Sequence, residues 1–186
     1  MAQFDSYKVI RSERKTISVE IGARGVLVRA PRKASFSDID KFVSDHEEWI
    51  MKHLNKREEA IKRTENVDKL TEEELRQLAR EASKVIPEKV AYYADILGVT
   101  YGRITIRNQR TRWGSCTSKG NLNFNCMLLL APDEVVDSVV VHELCHRLEM
   151  NHSKAFYNNV YRVFPDYDKW DKWLKENGSV LLARMP

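Results

Sequence analysis

His142-Glu143-Leu144-Cys145-His146, with His152 six residues further on, constrains this chain more than any other segment. Side chains four apart on a helix stack on one face, so His142 and His146 can address a single ion. Glu143 is rotated from His142 by about 100° of helix. That puts it beside the ion rather than on it, where a general base for a metal-activated water belongs. His152 lies past the helix and must turn back to bring a third nitrogen. A fourth position is left to water, the open coordination of a catalytic rather than a structural zinc. The spacing therefore predicts one Zn2+ per chain on His142, His146 and His152, with Glu143 as base.

The flanking sequence fits a helix carrying such a site. Pro132, Asp133 and Glu134 read as its first turn, with acids at the positive end of the helix dipole. Val136, Val140, Leu144 and Leu148 recur every four residues and predict a core-facing stripe opposite the ligands. Asn151 is a residue type that tolerates a left-handed exit before His152.

Composition narrows the setting. A chain of 186 residues suits one domain, or one domain with an appended helical segment. The predicted division is 1–66, antiparallel strands plus helix, and 67–186, the catalytic region, packed as one unit. The longest apolar run, Cys126 to Ala131, is far too short to span a bilayer. The opening MAQFDSYKVIRSERK has no apolar signal core, so no membrane partner and a cytoplasmic location are expected. Cys116, Cys126 and Cys145 are odd in number and contain no CxxC, against both a disulfide framework and a cysteine zinc site.

Net charge is +4 and uneven. Arg107, Arg110 and Arg112 fall in a stretch, 103–119, without one acid, and the first third carries Lys8, Arg11, Arg14, Lys15, Arg24, Arg29, Arg32 and Lys33. Such a surface can meet nucleic acid. No aromatic interleaving or nucleic-acid motif accompanies it, so solvated strand faces are the expected reading.

Along the chain, residues 7–30 predict a small antiparallel sheet from YKVIR, KTISVEI and GVLVRA, with turns at Ser12-Glu13 and at Gly22 to Gly25. Ser35 or Ser37 starts a helix running through Leu54. His46 and His53 lie seven apart with no carboxylate at metal spacing and are expected to pack or face solvent. Thr71 to Glu74 is a capping box for a helix that Pro87 kinks or divides and Gly98 closes. Strands follow at 103–107, 112–117 and 121–127. In the last, Asn121, Asn123 and Asn125 alternate with Leu122, Phe124 and Cys126, as on a sheet with one face toward a cleft. Ser153 to Phe164 and Asp166 to Asn177 predict two aromatic-rich helices.

The run Arg112-Trp113-Gly114-Ser115-Cys116, the metal motif, Asn151-His152-Ser153 and Phe156 resemble the YgjP-like metallopeptidase family of the zincin group, with SprT-like and WLM proteases as relatives. Ser12 to Ile17 and Arg29-Ala30-Pro31 extend the resemblance to most of the chain. It implies an α+β zincin-like fold, with an active-site helix and small antiparallel sheet preceded by an N-terminal sheet and long helices. It also implies a zinc metallopeptidase acting on peptide or protein substrates. Glu149 stands where metzincins have glycine, and Met185 sits too near the C-terminus for a Met-turn, so metzincin features are not expected.

The mechanism expected is attack of a zinc-bound water on an amide carbonyl, assisted by Glu143. Arg112, Tyr157 and Tyr161 are candidates for transition-state or substrate contacts. Trp113 is expected in the core rather than the cleft, and Cys116 and Cys126 as small buried residues. Cys145 borders the ligand face. The competing reading is a nucleic-acid-associated protease or binding module recruited through the basic surface; salt-sensitive DNA binding would favour it.

Overall fold

Three strands open the chain: β1 (Tyr7–Ser12), β2 (Ser18–Gly22) and β3 (Gly25–Pro31). β3 alternates buried Val26, Val28 and Ala30 with half-buried Leu27 and Arg29, the period of two that a one-faced strand requires. The computed structural model describes residues 6–22 and 25–186. Ala23 and Arg24, in the turn expected between Gly22 and Gly25, and the first five residues lie outside them.

The sheet is not wholly antiparallel as expected. β3 is central, antiparallel to β2 but parallel to β1, with Val9 opposite Val28 and Val28 opposite Val19. The break at Ser12-Glu13 is therefore the start of a crossover rather than a hairpin. The most deeply buried strand takes the position with two neighbours, which satisfies its backbone on both edges.

α1 (Phe36–Asp45) begins at Ser35, whose hydroxyl accepts from Asp38 N–H while the Asp38 carboxylate takes the Ser35 N–H. The helix expected through Leu54 is two. α1 ends at His46, which has a non-helical backbone, and α2 runs from Glu47 to Glu65. Ser44, Asp45 and His46 are weak helix formers, and that is where the chain bends. Ile39, Val43 and Ile50 close onto Val26, Val28 and Ala30 as the core of this unit, Met1–Glu65.

The second unit, Asn66–Pro186, has its own core. α3 (Glu72–Leu97) carries the expected capping box of Thr71 and Glu74. It passes Pro87 undivided and stops at Gly98, whose φ of 68° suits a residue without Cβ. Three strands follow, β4 (Ile104–Arg107), β5 (Gly114–Cys116) and β6 (Leu122–Asn125). β6 is the centre, parallel to β4 and antiparallel to β5. The alternating asparagines act as staples instead of lining a cleft. Asn125 is buried, donates to the carbonyls of Gln109 and Arg112, and accepts from Met127 N–H. That bond starts a 3-10 turn at Cys126–Leu130, where the strand was expected to continue.

α4 (Asp133–Cys145) is buried over most of its length, including Val136, Val140 and Leu144. Leu148 is not in that stripe: the helix has already ended, and it is 43% exposed. Lys89 of α3 reaches both Asp133 and Asp137 at 2.8 Å, tying the start of α4 to α3. α5 (Lys154–Val163) and α6 (Tyr167–Ala183) complete the unit, α6 running further than the sequence pattern predicts. The result is an α+β arrangement in which α4 lies against the edge strand β5 and against α5 and α6.

Candidate metal centre

α4 delivers His142 and Glu143 from its last turn, and His146 follows directly as the capping residue. The chain leaves through tight turns, with Arg147 N–H on Leu144 O and Glu149 N–H on Cys145 O. No described residue other than glycine has a positive φ. Asn151 thus makes no left-handed exit; the closely spaced bonds after Cys145 turn the chain in its place. His152 then returns, so that ligand atoms of His142, His146 and His152 lie within 4.8 Å of one another.

Each ring on α4 has its second nitrogen engaged. His142 Nδ1 is 2.8 Å from the Tyr167 hydroxyl, and His146 Nδ1 is 3.1 Å from the Glu149 carbonyl oxygen. Both bonds turn Nε2 toward the gap, where His152 Nε2 is 3.0 Å from His142 Nε2. Beneath them, fully buried Phe156 touches all three rings at centroid distances of 4.7–4.9 Å. Burial first, then the charges of its two histidine neighbours, push His142 down to about 3. Burial also lowers His146, against the pull of the Glu149 carbonyl. Both rings are therefore held in the neutral form that coordinates metal. The donor set fits a three-nitrogen site with an open position.

Glu143 is 6% exposed and faces β5. Burial pushes its carboxyl up to about 8, opposed by a hydrogen bond from Cys116 N–H. Two cavities meet at His142, Glu143 and Arg112. One of about 270 Å³ is walled by Trp113, Val139, Tyr167 and Leu174. The other, about 310 Å³, holds the three histidines with Gly114, Cys116 and Met150. Arg112 lines both cavities. Tyr157 has its ring 6.3 Å from that of His152, while Tyr161 is further out, with its hydroxyl on Asp168 at 2.9 Å. Trp113 is half-buried, both packed against the core and lining the smaller cavity. Cys126 and Cys145 are fully buried, and burial pushes Cys145 up to about 12. Cys116 is half-buried at the larger cavity.

Tyr167 and Gly114 were missed by sequence reasoning. Tyr167 reaches His142 from 25 residues downstream, and no local spacing reports such a bond. Gly114 sits inside the Arg112 to Cys116 run, and a glycine inside a strand was the signal available.

A cluster of three imidazoles beside a buried carboxylate, opening on two clefts, defines a metal-dependent hydrolase as the class to test. The family model described as "YgjP-like, metallopeptidase domain" matches residues 15–76 and 60–177, and the chain belongs to that family. Curated protein sequences give no significant match. Among solved structures, the metallopeptidase zymogen of Pyrococcus abyssi abylysin is 21% identical at a TM-score of 0.45, covering 50% of this chain and 94% of its own. The metallopeptidase zymogen of Methanocaldococcus jannaschii jannalysin is 20% identical at 0.45, covering 50% and 97%.

Proposed function

We propose that this metallopeptidase cleaves peptide bonds with one zinc ion held by His142, His146 and His152 and with Glu143 as general base. The observation that carries the reading is the convergence of three imidazoles, their ligand atoms within 4.8 Å, beside a carboxylate only 6% exposed. An ion held there supplies Lewis acidity toward water and the scissile carbonyl, and its charge favours the carboxylate form of Glu143 that burial alone disfavours.

Glu143 accepts the proton of the attacking water as the carbon–oxygen bond forms. It then delivers that proton to the amide nitrogen as the carbon–nitrogen bond breaks. The Glu149 carbonyl, which can only accept, holds His146 in the Nδ1–H tautomer, and the Tyr167 hydroxyl orients the His142 ring. Arg112, at the meeting of the two cavities, is placed to contact the substrate backbone or the developing oxyanion, with Tyr157 as the other candidate.

An extended peptide is the substrate class that the strand edge supports. Trp113 O and Thr117 N–H are used toward β6. Residues alternate along an antiparallel pair, so Gly114 and Cys116 present their backbone groups outward. Cys116 N–H is taken by Glu143, leaving the Gly114 amide and carbonyl to pair with a substrate strand.

The test is Glu143→Gln. Hydrolysis of a peptide library should fall by about 10²–10⁴-fold, while zinc content stays at one equivalent by elemental analysis. Retained cleavage would reject Glu143 as base, and loss of zinc would make it a ligand instead.

A further inference from the structure

A Cβ built on Gly114 would lie 2.6 Å from Glu143 Oε1, 2.7 Å from its Cγ and 2.9 Å from its Cδ. These separations are shorter than real side chains tolerate. The backbone at Gly114 does not require glycine, since the positive-φ glycines among the described residues are Gly25, Gly98 and Gly120. What the position requires is space. Glycine inside a strand commonly marks the close approach of another group, and here that group is the carboxylate side chain assigned as base.

We propose that Gly114 is a positioning residue. The atom missing from β5 forms a slot that, with Cys116 N–H, seats the Glu143 carboxylate beside the metal site. Gly114 and Cys116 are two apart on one strand, so both address the same flank of Glu143. α4 holds the other end of that side chain, as Leu144 and Cys145 are fully buried and fix the helix in place. A methyl group at 114 must displace Cγ as well as the carboxylate tip, so the carboxylate cannot keep its hydrogen bond by a small swing of its end. Other crowded glycines differ. A Cβ on Gly120 would meet the guanidinium of Arg147, and one on Gly178 would meet the ring of Trp113; neither presses on the motif itself.

The claim that seating matters for turnover rests on the reading of Glu143 as base. The claim that Gly114 and Glu143 are packed against each other does not. A four-protein cycle separates them: the wild type, Gly114→Ala, Glu143→Ala and the double variant, each melted with and without zinc and assayed on peptide. Gly114→Ala should lower kcat by roughly 100-fold, the cost of misplacing a reacting group by about 1 Å. KM and zinc affinity should stay within about twofold. It should also lower Tm by roughly 3 °C in the wild-type background and by nothing where Glu143 is already alanine, because the struck atoms are gone. Equal Tm losses in both backgrounds, or wild-type kcat in Gly114→Ala, would overturn the proposal. If Gly114→Ala does not fold, folding of the double variant supports the slot and its failure to fold rejects it. If the wild type cleaves no peptide, the proposed activity fails, and the melting cycle still decides whether Gly114 seats Glu143.

Discussion

Two pairs of histidines lie in helices or at their ends, and only one pair converges with a third histidine. His46 and His53 each turn Nδ1 onto the carbonyl four residues back, Phe42 O at 2.8 Å and Trp49 O at 2.7 Å. Each stacks on the aromatic ring of that same residue, at 4.2 and 3.9 Å. Both are thus satisfied within one helical turn. His142 and His146 anchor Nδ1 differently, on a tyrosine from α6 and on a carbonyl beyond the end of their helix. Their free nitrogens converge, and His152 joins them. The chain breaks at His46, so His46 and His53 belong to different helices, whereas His142 and His146 are four apart at the end of one. The difference is what holds the far nitrogen and whether anything returns to close the cluster.

The sharpest way to break the comparison is to remove the residue that closes it. His152→Ala should weaken zinc binding by about 100-fold or more, since a closed four-ligand site gains about 10–16 kcal/mol shared among its donors. Competition with a chelator measures this. His152 is exposed, so the metal-free protein should melt as the wild type does. Unchanged zinc affinity would place the third ligand elsewhere and dissolve the contrast between the two pairs.

A smaller effect is expected at the anchor. Tyr167→Phe keeps the ring in its buried place, 6% exposed, and removes only the hydroxyl on His142 Nδ1. Loss of such an outer partner typically costs 10–100-fold in metal affinity or activity. The metal-free Tm should change little, because the phenyl ring keeps its packing. Wild-type affinity in this variant would mean that Phe156 packing alone orients His142.

How much of this was legible follows from sequence distance. His142, Glu143 and His146 share two turns of one helix, and His152 is close behind, so their grouping is written in local spacing. The capping box at Thr71 was readable for the same reason, donor and acceptor being three residues apart, whereas the earlier helix was read only as starting at Ser35 or Ser37, without its box to Asp38. Strand order was not, because a period of two assigns faces and says nothing about neighbours. The central places of β3 and β6, and hence the free edge of β5, depend on which strand buries most. Tyr167 and Gly114 are the extreme case. One acts through a hydrogen bond across 25 residues, the other through an atom it lacks.

The least effect is expected where the comparison says nothing is built. His46→Ala and His53→Ala, singly or together, each remove a ring that contacts its own helix and lies at or near the surface. Stability should change by no more than about 0.5 kcal/mol per site, the range for surface substitutions away from special features. Zinc stoichiometry and peptide cleavage should not move at all. Titration of the double variant with zinc reads this directly, since a second binding event lost relative to the wild type would reveal ligands outside the α4 cluster. A single unchanged event would leave His142, His146 and His152 as the histidines that bind, and would make convergence of the free nitrogens, rather than their spacing along a helix, the property that separates a metal centre from a decorated surface.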